Sequence, residues 1–448
     1  MPRRHGMSDG TIQLDPLDAT EPADTGRSAT TETHADPLTD TWIDRAIGGR
    51  SERKLVLSLI GFAIVLRALL FGFGYTEVQL APNAPDGQSR NVSVTRAGIR
   101  DAYGKFRFAD PGWYLDIADN GYEDRKYTDH PQANWGFFPG WPMLIAAGSF
   151  LVGGKSLLAA LLLASICSLV AIPLLYRLLR LDWSPGIAFG TIIALLAWLD
   201  AYAFMWPGNE SLYLLLLVGA VYAARRERWW IAGAVGGLAA ITRPFGMLLL
   251  PILGIILLKQ LHARHGRLWA RATLLSRHAL NAYAALLLVP AAFGAYLLYM
   301  RSLTGNALAY FDMQREGWGQ HTQLPFQSVW DWMHDPVLTS NTGWEFLALS
   351  IGLGAAIIGL CGYAIAKRRE LPFPIEYWVF IGLNMLVIVS RDNVGGVGRY
   401  MGVVFPLFAL FVIATIRRPV LQVSLVLASL MFQVFLFANF FVGHAWAT

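Results

Sequence analysis

Charged residues are scarce in this sequence of 448 residues, where they make up 15% of the chain while hydrophobic residues make up 55%. Soluble proteins are about one-quarter charged, so the composition excludes an ordinary water-soluble enzyme or binding domain. Cysteine is scarcer still. Cys167 and Cys361 both lie inside apolar runs, which favours buried packing residues over a disulfide or a metal site.

Several motifs that carry chemistry are also missing. The chain has no GxSxG nucleophile elbow, Walker loop, HExxH or CxxC, and no clear Asp-x-Asp pair for a metal-bound sugar nucleotide. The sequence therefore gives no reason to expect a metal ion or a cofactor. The net charge of +5 does not indicate nucleic-acid binding, because the basic residues fall in short clusters between apolar blocks, as in cytoplasmic membrane loops.

The apolar residues form blocks close to the about 20 residues with which an α-helix crosses a bilayer. This pattern predicts an all-α polytopic membrane domain over residues 51–448. Residues 1–50, rich in Thr, Asp and Pro, are predicted to be a disordered cytoplasmic tail. We predict eleven spans, at 55–74, 156–176, 186–206, 210–224, 229–243, 245–260, 281–300, 345–366, 375–390, 399–416 and 419–441.

The orientation follows from the short loops that carry Lys and Arg. Arg50, Arg53 and Lys54 precede the first span, which predicts a cytoplasmic N-terminus in the cell membrane. The threading keeps on that side the later basic clusters at 177–180, 225–228, 259–277, 367–369 and 417–418. Two long loops, residues 75–155 and 301–344, then face the outside.

One apolar segment, residues 137–153, is kept apart from the spans because Pro139, Gly140 and Pro142 interrupt it. If it crossed the membrane, every later basic cluster would change sides, so we expect a re-entrant or interfacial segment at the outer leaflet. Four of the spans are shorter than a full crossing needs, which indicates helix ends buried in protein or facing water. Together these features predict a cavity recessed into the outer half of the membrane.

The stretch FADPGWYLDIADNGY, residues 108–122, predicts a short amphipathic helix in the membrane interface, since Trp113 and Ile117 fall one turn apart. Asp110 is its candidate functional residue. The alternative is an N-cap Asp followed by Pro111 at the first helical position. A carboxylate has enough lone pairs for both roles.

Other charged residues are predicted on the same outer face. Glu210, in WPGNESLY, begins a span, where it could simply complement the positive end of the helix. Arg243, in ITRPFG, lies at a turn between two short spans; it could snorkel to the headgroups, but a broken turn favours a cavity wall. Arg391 and Arg399 flank the Gly-rich turn SRDNVGGVGRY. Their convergence with Asp110 is stronger evidence than any one residue.

The residues from Asp110 to Tyr122, followed by FFPGWP at 137–142, resemble the PIG-V family of GT-C glycosyltransferases. In that family an Asp preceded by Arg or Trp begins an aromatic-rich helix ending IA-x-x-GY, and an FFP-x-x-P segment follows. The family's Trp is Ala109 here, and Pro111 and Gly112 replace more usual residues. Further resemblance to bacterial members lies, in order between residues 55 and 420, in ESLYLLLL, RWWIAGAVGGLAAITRPFG, TGNALAYFDMQREGWGQ and GRYMGVVFPLF.

This resemblance implies a GT-C transmembrane bundle whose first outer loop carries interfacial helices. It implies inverting transfer of a sugar, typically mannose, from a polyprenyl-phosphate donor to a lipid or glycan acceptor. Asp110 would then be the general base, and the donor phosphate would be bound by Arg243, Arg399 and Arg391. The predicted contacts to sugar or acceptor are Glu210, Gln314, Trp318 and Tyr114.

Two other functions share these features. A transporter or flippase for a lipid-linked sugar would also have broken helices and buried charges, although no repeat relates the two halves of the chain. A non-catalytic subunit of a membrane complex would need Asp110 only as a cap. For Trp318, as for Trp330, Trp332 and Trp344 in the same loop, an interfacial aromatic belt is the alternative to sugar stacking.

Overall fold

The computed structural model describes residues 40–80, 103–104, 106–107, 109–124, 132–266, 270–334, 344–371, 373–392 and 397–442. This part of the chain is α-helical and contains no β-strand, only an isolated bridge between Thr322 and Arg391. The predicted all-α class is therefore confirmed.

The helices in the first half of the chain are α1 (Trp42–Ile47), α2 (Glu52–Leu80), α3 (Asp110–Asn120), α4 (Gly140–Ser149), α5 (Ser156–Leu179), α6 (Pro185–Leu196), α7 (Glu210–Arg225), α8 (Trp229–Ala240) and α9 (Leu249–His265). Those in the second half are α10 (Arg271–Leu274), α11 (Arg277–Leu286), α12 (Leu288–Thr304), α13 (Ala309–Glu316), α14 (Gln327–His334), α15 (Trp344–Ala366), α16 (Ile375–Val389), α17 (Val397–Gly402), α18 (Phe405–Thr415) and α19 (Pro419–Val442). Short 3₁₀ segments occupy Asn134–Gly136, Phe150–Val152, Ala201–Phe204 and Pro244–Leu248.

Five helical segments in the described chain are long and apolar enough to cross a membrane, as expected of an integral membrane protein. They are Glu52–Thr76, Ser156–Leu179, Pro244–His265, Arg277–Thr304 and Pro419–Phe440. Each of them overlaps a predicted span, and other helices lie within the remaining predicted spans. The total of eleven crossings stays a prediction.

Buried ion pairs join the termini of several helices at one end of the molecule. Arg225, the last residue of α7, lies 2.6 Å from Asp182 and 3.2 Å from Glu376. Lys259 of α9 lies 3.0 Å from the same Glu376, whose side chain is completely buried. A buried carboxylate is stable only when it is paired. The basic residues predicted to be cytoplasmic are therefore joined here to the loop after α5 and to the start of α16.

The segment predicted to be re-entrant forms α4 and the 3₁₀ turn that follows it, Gly140–Val152. At about 1.5 Å per residue it covers about 20 Å, less than the about 30 Å of the hydrocarbon core. Its start contacts the end of α8, where the Gly140 N–H donates to the Ile241 carbonyl at 2.8 Å. The length fits a segment that does not cross, which stays a prediction.

Several predicted spans are not continuous helices, and two of them show the reason for the break. The span at 186–206 ends as a helix at Leu196, after which the Trp198 indole turns to donate to the Gly398 carbonyl at 2.7 Å. The span at 399–416 is divided into α17 and α18. Pro406 has no N–H to donate to the Gly402 carbonyl, and its ring would clash with that carbonyl in a continuous helix, which explains this break.

The predicted disordered tail is too long at its C-terminal end, because residues 42–47 form α1. Thr41 caps this helix by accepting from the Asp44 N–H at 3.1 Å. Asp44 in turn accepts from the Ser184 hydroxyl at 2.8 Å and from the Gly186 N–H at 2.6 Å, at the start of α6. Ile43 is buried against the core. The rest of the predicted tail, residues 1–39, lies outside the described residues.

Candidate active site

A cavity of about 680 Å³ lies at the other end of the helices that carry the Glu376 ion pairs. The volume is in the range of small-molecule sites in proteins. Helices α7 and α16 each have one end at the ion pairs and the other end at this cavity. Of the eight residues predicted to form the site, seven line it: Asp110, Tyr114, Arg243, Gln314, Trp318, Arg391 and Arg399.

Asp110 begins α3 but does not cap it. The N-cap is Ala109, which has a φ of 61° and makes no side-chain capping hydrogen bond. A residue other than glycine in such a conformation costs about 1–3 kcal/mol, a strain that is often found at functional sites. The Asp110 Oδ2 atom instead lies 2.9 Å from Nη2 of Arg399. The alternative in which Asp110 is only an N-cap is therefore wrong.

The two unusual residues after Asp110 shape the same turn. Pro111 is buried in the first turn of α3, where its missing N–H costs no helical hydrogen bond. A Cβ atom at Gly112 would lie 2.7 Å from the Arg107 carbonyl oxygen. Pro111 and Gly112, which depart from the PIG-V pattern, thus suit a first helical turn that packs closely against the preceding backbone. The Asp110 carboxylate still lines the cavity.

Glu210 connects two of the arginines from behind the cavity wall. Its Oε1 atom lies 2.7 Å from Nη2 of Arg243 and 3.5 Å from Nε of Arg399. The side chain of Glu210 is 3% exposed and that of Arg243 is 7% exposed, whereas Asp110 is 36% exposed. Glu210 therefore contacts guanidinium groups, and the geometry gives no support to its predicted contact with a sugar.

The three predicted arginines surround one aromatic ring, that of Tyr400. The guanidinium carbons of Arg391, Arg243 and Arg399 lie 4.7, 5.4 and 5.6 Å from its centre. Any two of them are therefore at most about 11 Å apart. Like charges at that distance repel by at least about 1.5 kcal/mol at an effective dielectric constant of about 20. The ring opposes this repulsion through cation–π contacts of about 0.5–2 kcal/mol each.

The three guanidinium groups around Tyr400 form ion pairs with two carboxylates among the described residues, those of Asp110 and Glu210. Arg391 donates to the Gln320 amide oxygen at 2.6 Å and has no carboxylate partner among the described residues. Nη1 of Arg243 is buried without a hydrogen-bond partner in the same part of the chain. Buried donors of this kind fit an anion in the cavity.

Two sequence motifs meet where Arg243 is held. The N–H of Gly140, from FFPGWP, donates to the Ile241 carbonyl, and a Cβ atom at Gly140 would lie 2.5 Å from Oγ1 of Thr242. A Cβ atom at Gly246 would lie 2.4 Å from the Ala239 carbonyl carbon. Glycine is needed at both positions, because the backbones approach too closely for a side chain.

Trp318 and Gln314 bring the second outer loop to the same wall. The Trp318 ring lies edge-on to Phe137 at 5.4 Å and to Trp113 at 5.6 Å. Gln314 donates to the Gly136 carbonyl at 2.8 Å. Both residues line the cavity.

The other tryptophans of that loop differ from Trp318. Trp330 does not line the cavity and is 62% exposed, which fits an interfacial position. The side chains of Trp332 and Trp344 lie outside the described residues.

Tyr114 contributes a buried hydroxyl at the base of the cavity. It accepts from Nδ2 of Asn209 at 2.6 Å, and the same amide donates to the Thr242 carbonyl at 3.1 Å. Burial, and after it the negative charge of Asp110, raises the pKa of Tyr114 well above its usual range. Tyr114 therefore remains a neutral phenol that orients its neighbours.

Several residues of the cavity were not predicted from the sequence. The main ones are Asn209, Thr242, Tyr310, Gln320, His321 and Tyr400. Tyr400 directly follows Arg399 in the GRY run, which is a weak signal. Asn209, Thr242, Tyr310 and Gln320 lie inside the motifs quoted above, but nothing in those motifs distinguishes them from their neighbours, and His321 lies outside them. The described residues contain no group of three or more His, Cys, Asp or Glu that could hold a metal ion.

No family model and no curated protein matches the sequence. Solved structures with a similar chain include the oligosaccharyltransferase of Archaeoglobus fulgidus in the apo form, with 11% identity and a TM-score of 0.41 over 86% of this chain and 56% of that chain. Another is the archaeal enzyme AglB from the same organism in complex with an inhibitory peptide and a dolichol-phosphate, with 12% identity and a TM-score of 0.41 over 84% of this chain and 55% of that one. A third is ArnT from Cupriavidus metallidurans bound to undecaprenyl phosphate, with 15% identity and a TM-score of 0.45 over 85% of this chain and 70% of that one.

The chain thus spans a little over half the length of the archaeal oligosaccharyltransferases. Likenesses at these scores do not carry an argument about activity, which has to come from the residues of the site.

Proposed function

We propose that the protein is a GT-C membrane glycosyltransferase of the PIG-V kind. It would move a sugar, with mannose as the first candidate, from a polyprenyl-phosphate donor to a hydroxyl of a lipid or glycan acceptor. The observation that carries this proposal is one half-exposed carboxylate paired with a cluster of three guanidinium groups in a single cavity. The family resemblance of the motifs around Asp110 and at 137–142 supports it.

Asp110 would act as the general base. Its Oδ2 atom is bound to Arg399, which leaves the other oxygen for a proton from the acceptor. As the acceptor oxygen attacks C1 of the sugar, the bond from C1 to the phosphate oxygen breaks and the proton passes to Asp110. Such proton transfer contributes about 10²–10⁴-fold to a rate.

The arginines would stabilise the leaving phosphate. The donor is a phosphodiester with one negative charge, and the product is a phosphate monoester with about 1.5–2 charges at neutral pH. When Asp110 takes up the proton, it loses its charge and its ion pair with Arg399 weakens. Arg399 then becomes available to the phosphate as the second charge develops. Guanidinium groups suit this task because they bind phosphate oxygens through two parallel hydrogen bonds.

We place this chemistry on the extracytoplasmic face of the cell membrane. The support is the position of Arg225 and Lys259 at the opposite end of the helices from the cavity. Positively charged loops remain predominantly in the cytoplasm.

The decisive experiment gives purified protein in nanodiscs a labelled polyprenyl-phosphate-mannose and a panel of lipid and glycan acceptors. We expect transfer by the wild type and a loss of at least about 100-fold in Asp110→Asn. Asp119→Asn is the matched control, since Asp119 lies on the same helix and is exposed, and its one hydrogen bond to the described residues is from the Ser156 hydroxyl at 3.0 Å. Thermal unfolding checks that each variant is folded.

The other outcomes separate the alternatives. Full activity of Asp110→Asn would remove Asp110 from the mechanism. An absence of transfer to every acceptor, combined with movement of the lipid across vesicle membranes, would favour a flippase. An absence of both would favour a non-catalytic subunit.

A further inference from the structure

Tyr400 lies at the centre of the arginine cluster but has no role in the mechanism above. It belongs to the short helix α17 and lines the cavity directly. Its ring is within 5.6 Å of the guanidinium carbons of Arg243, Arg391 and Arg399. Arg391 and Arg399 flank one turn, whereas Arg243 lies about 150 residues earlier, so the ring contacts cations from two separate parts of the chain.

The hydroxyl of Tyr400 belongs to a ring that lines the cavity and lies among the three guanidinium groups. A phenolic hydroxyl has two lone pairs and one proton, and arginine is only a donor. A guanidinium group can therefore contact the phenolic oxygen but cannot accept its proton. The proton of Tyr400 is thus suited to an acceptor in the cavity, such as an anion.

We propose that Tyr400 is an anion-contacting residue of the donor site, whose ring gathers the three arginines and whose hydroxyl donates a hydrogen bond to the donor phosphate. This inference rests on the proposed function for the identity of the ligand, a lipid phosphate. The ring and the hydroxyl have separate tasks. Loss of the hydroxyl removes one donor to an anion, and loss of the ring also removes the contacts that hold the like charges together.

The chain provides a matched control in Tyr213. Its ring lies 5.8 Å from the guanidinium carbon of Arg243, and its buried hydroxyl has no hydrogen-bond partner among the described residues. Tyr213 does not line the cavity. Tyr213→Phe therefore removes a buried phenolic hydroxyl beside the same arginine, without removing a group that could contact a ligand.

The test measures equilibrium binding of farnesyl phosphate, and of uncharged farnesol, to the full-length protein in nanodiscs. We expect Tyr400→Phe to weaken farnesyl phosphate about tenfold to a hundredfold, as for one hydrogen bond to a charged group. Farnesol should bind unchanged, and Tyr213→Phe should match the wild type with both ligands. Tyr400→Leu should weaken farnesyl phosphate further, because the arginines lose the ring as well. If Tyr400→Leu does not fold, the comparison of Tyr400→Phe with the wild type and Tyr213→Phe is sufficient for the test.

The result also separates this inference from the proposed function, because binding does not require transfer. Tight farnesyl phosphate binding by Tyr400→Phe would overturn the role of Tyr400 even if the wild type transfers sugar. Equal weakening of farnesol and farnesyl phosphate would overturn it too, since a general structural effect would then explain the loss. A selective loss of phosphate binding in a protein that transfers no sugar would support Tyr400 and refute the transferase.

Discussion

Neutralising Glu210 should destabilise the protein, because this buried carboxylate contacts two of the three arginines. In Glu210→Gln the three guanidinium groups around Tyr400 keep one carboxylate within ion-pair distance among the described residues, that of Asp110. Oε1 of Glu210 lies 2.7 Å from Arg243 and 3.5 Å from Arg399, whose side chains are only 7% and 13% exposed, so water cannot replace the lost charge. Breaking a buried ion pair by removing one partner costs about 3–5 kcal/mol.

A double-mutant cycle tests the electrostatic origin of this cost. We expect Glu210→Gln with Arg243→Gln to cost less than the sum of the single changes, with a coupling between about 1 and 3 kcal/mol. The measurement is unfolding in mixed micelles at increasing SDS fraction, followed by tryptophan fluorescence. The single variant Glu210→Gln should also bind farnesyl phosphate more tightly, because the cavity gains net positive charge. Additivity within about 0.5 kcal/mol would refute the reasoning, since independent sites behave in that way.

Two further predictions concern other parts of the fold. Gly140→Ala should lower the rate of transfer and reduce the free energy of unfolding by about 1–3 kcal/mol, because the new Cβ would lie 2.5 Å from Oγ1 of Thr242. Gly254→Ala is the control, since a Cβ there has no atom within 4 Å, and it should leave thermal unfolding unchanged. Equal stability of the two variants would contradict the close packing at Gly140. At Asp44, burial alone would raise the pKa, but hydrogen bonds from Thr41, Ser184 and Gly186 hold it below its usual 3.8. Stability from a depressed pKa is present at neutral pH and lost as the pH falls through the folded pKa. The protection of the α1 amides against hydrogen exchange, corrected for the intrinsic pH dependence of exchange, should therefore be constant from about pH 7 to 5 and decrease only below about pH 4. Asp44→Asn should exchange quickly at neutral pH and lose this acid transition.

The sequence predicted the course of the chain better than its breaks. Apolar blocks identify α2, α5 and α19 well, because a membrane-spanning helix needs only a continuous run of hydrophobic residues. The end of α6 at Leu196 has no such signal, since the next residues are also apolar and aromatic. The helix stops there because Trp198 turns to contact the carbonyl of Gly398, 200 residues further along the chain. Tertiary contacts of this kind cannot be read from a local pattern.

For the site, the sequence identified charged residues that line one cavity, but not which of them touch; the side of the membrane stays a prediction. Asp110 and the arginines were found because charges in an apolar chain are conspicuous. Glu210 was predicted to contact a sugar, yet it lies behind Arg243. Tyr400 was missed because a tyrosine in a membrane protein is unremarkable until three cations surround it.

The loops predicted to lie outside also provide hydrogen-bond donors to the ends of short helices. A helix that ends inside the membrane leaves carbonyl groups without partners, which is costly in lipid. At the end of α8 the Ile241 carbonyl accepts from the Gly140 N–H at 2.8 Å, and after α16 the Ser390 carbonyl accepts from the Gln323 N–H at 2.7 Å. Both donors come from the loops that form the cavity walls. The loops thus donate hydrogen bonds to the free carbonyl groups at the helix ends beside Arg243 and Arg391. The same hydrogen bonds therefore fix the positions of these arginines and the shape of the cavity.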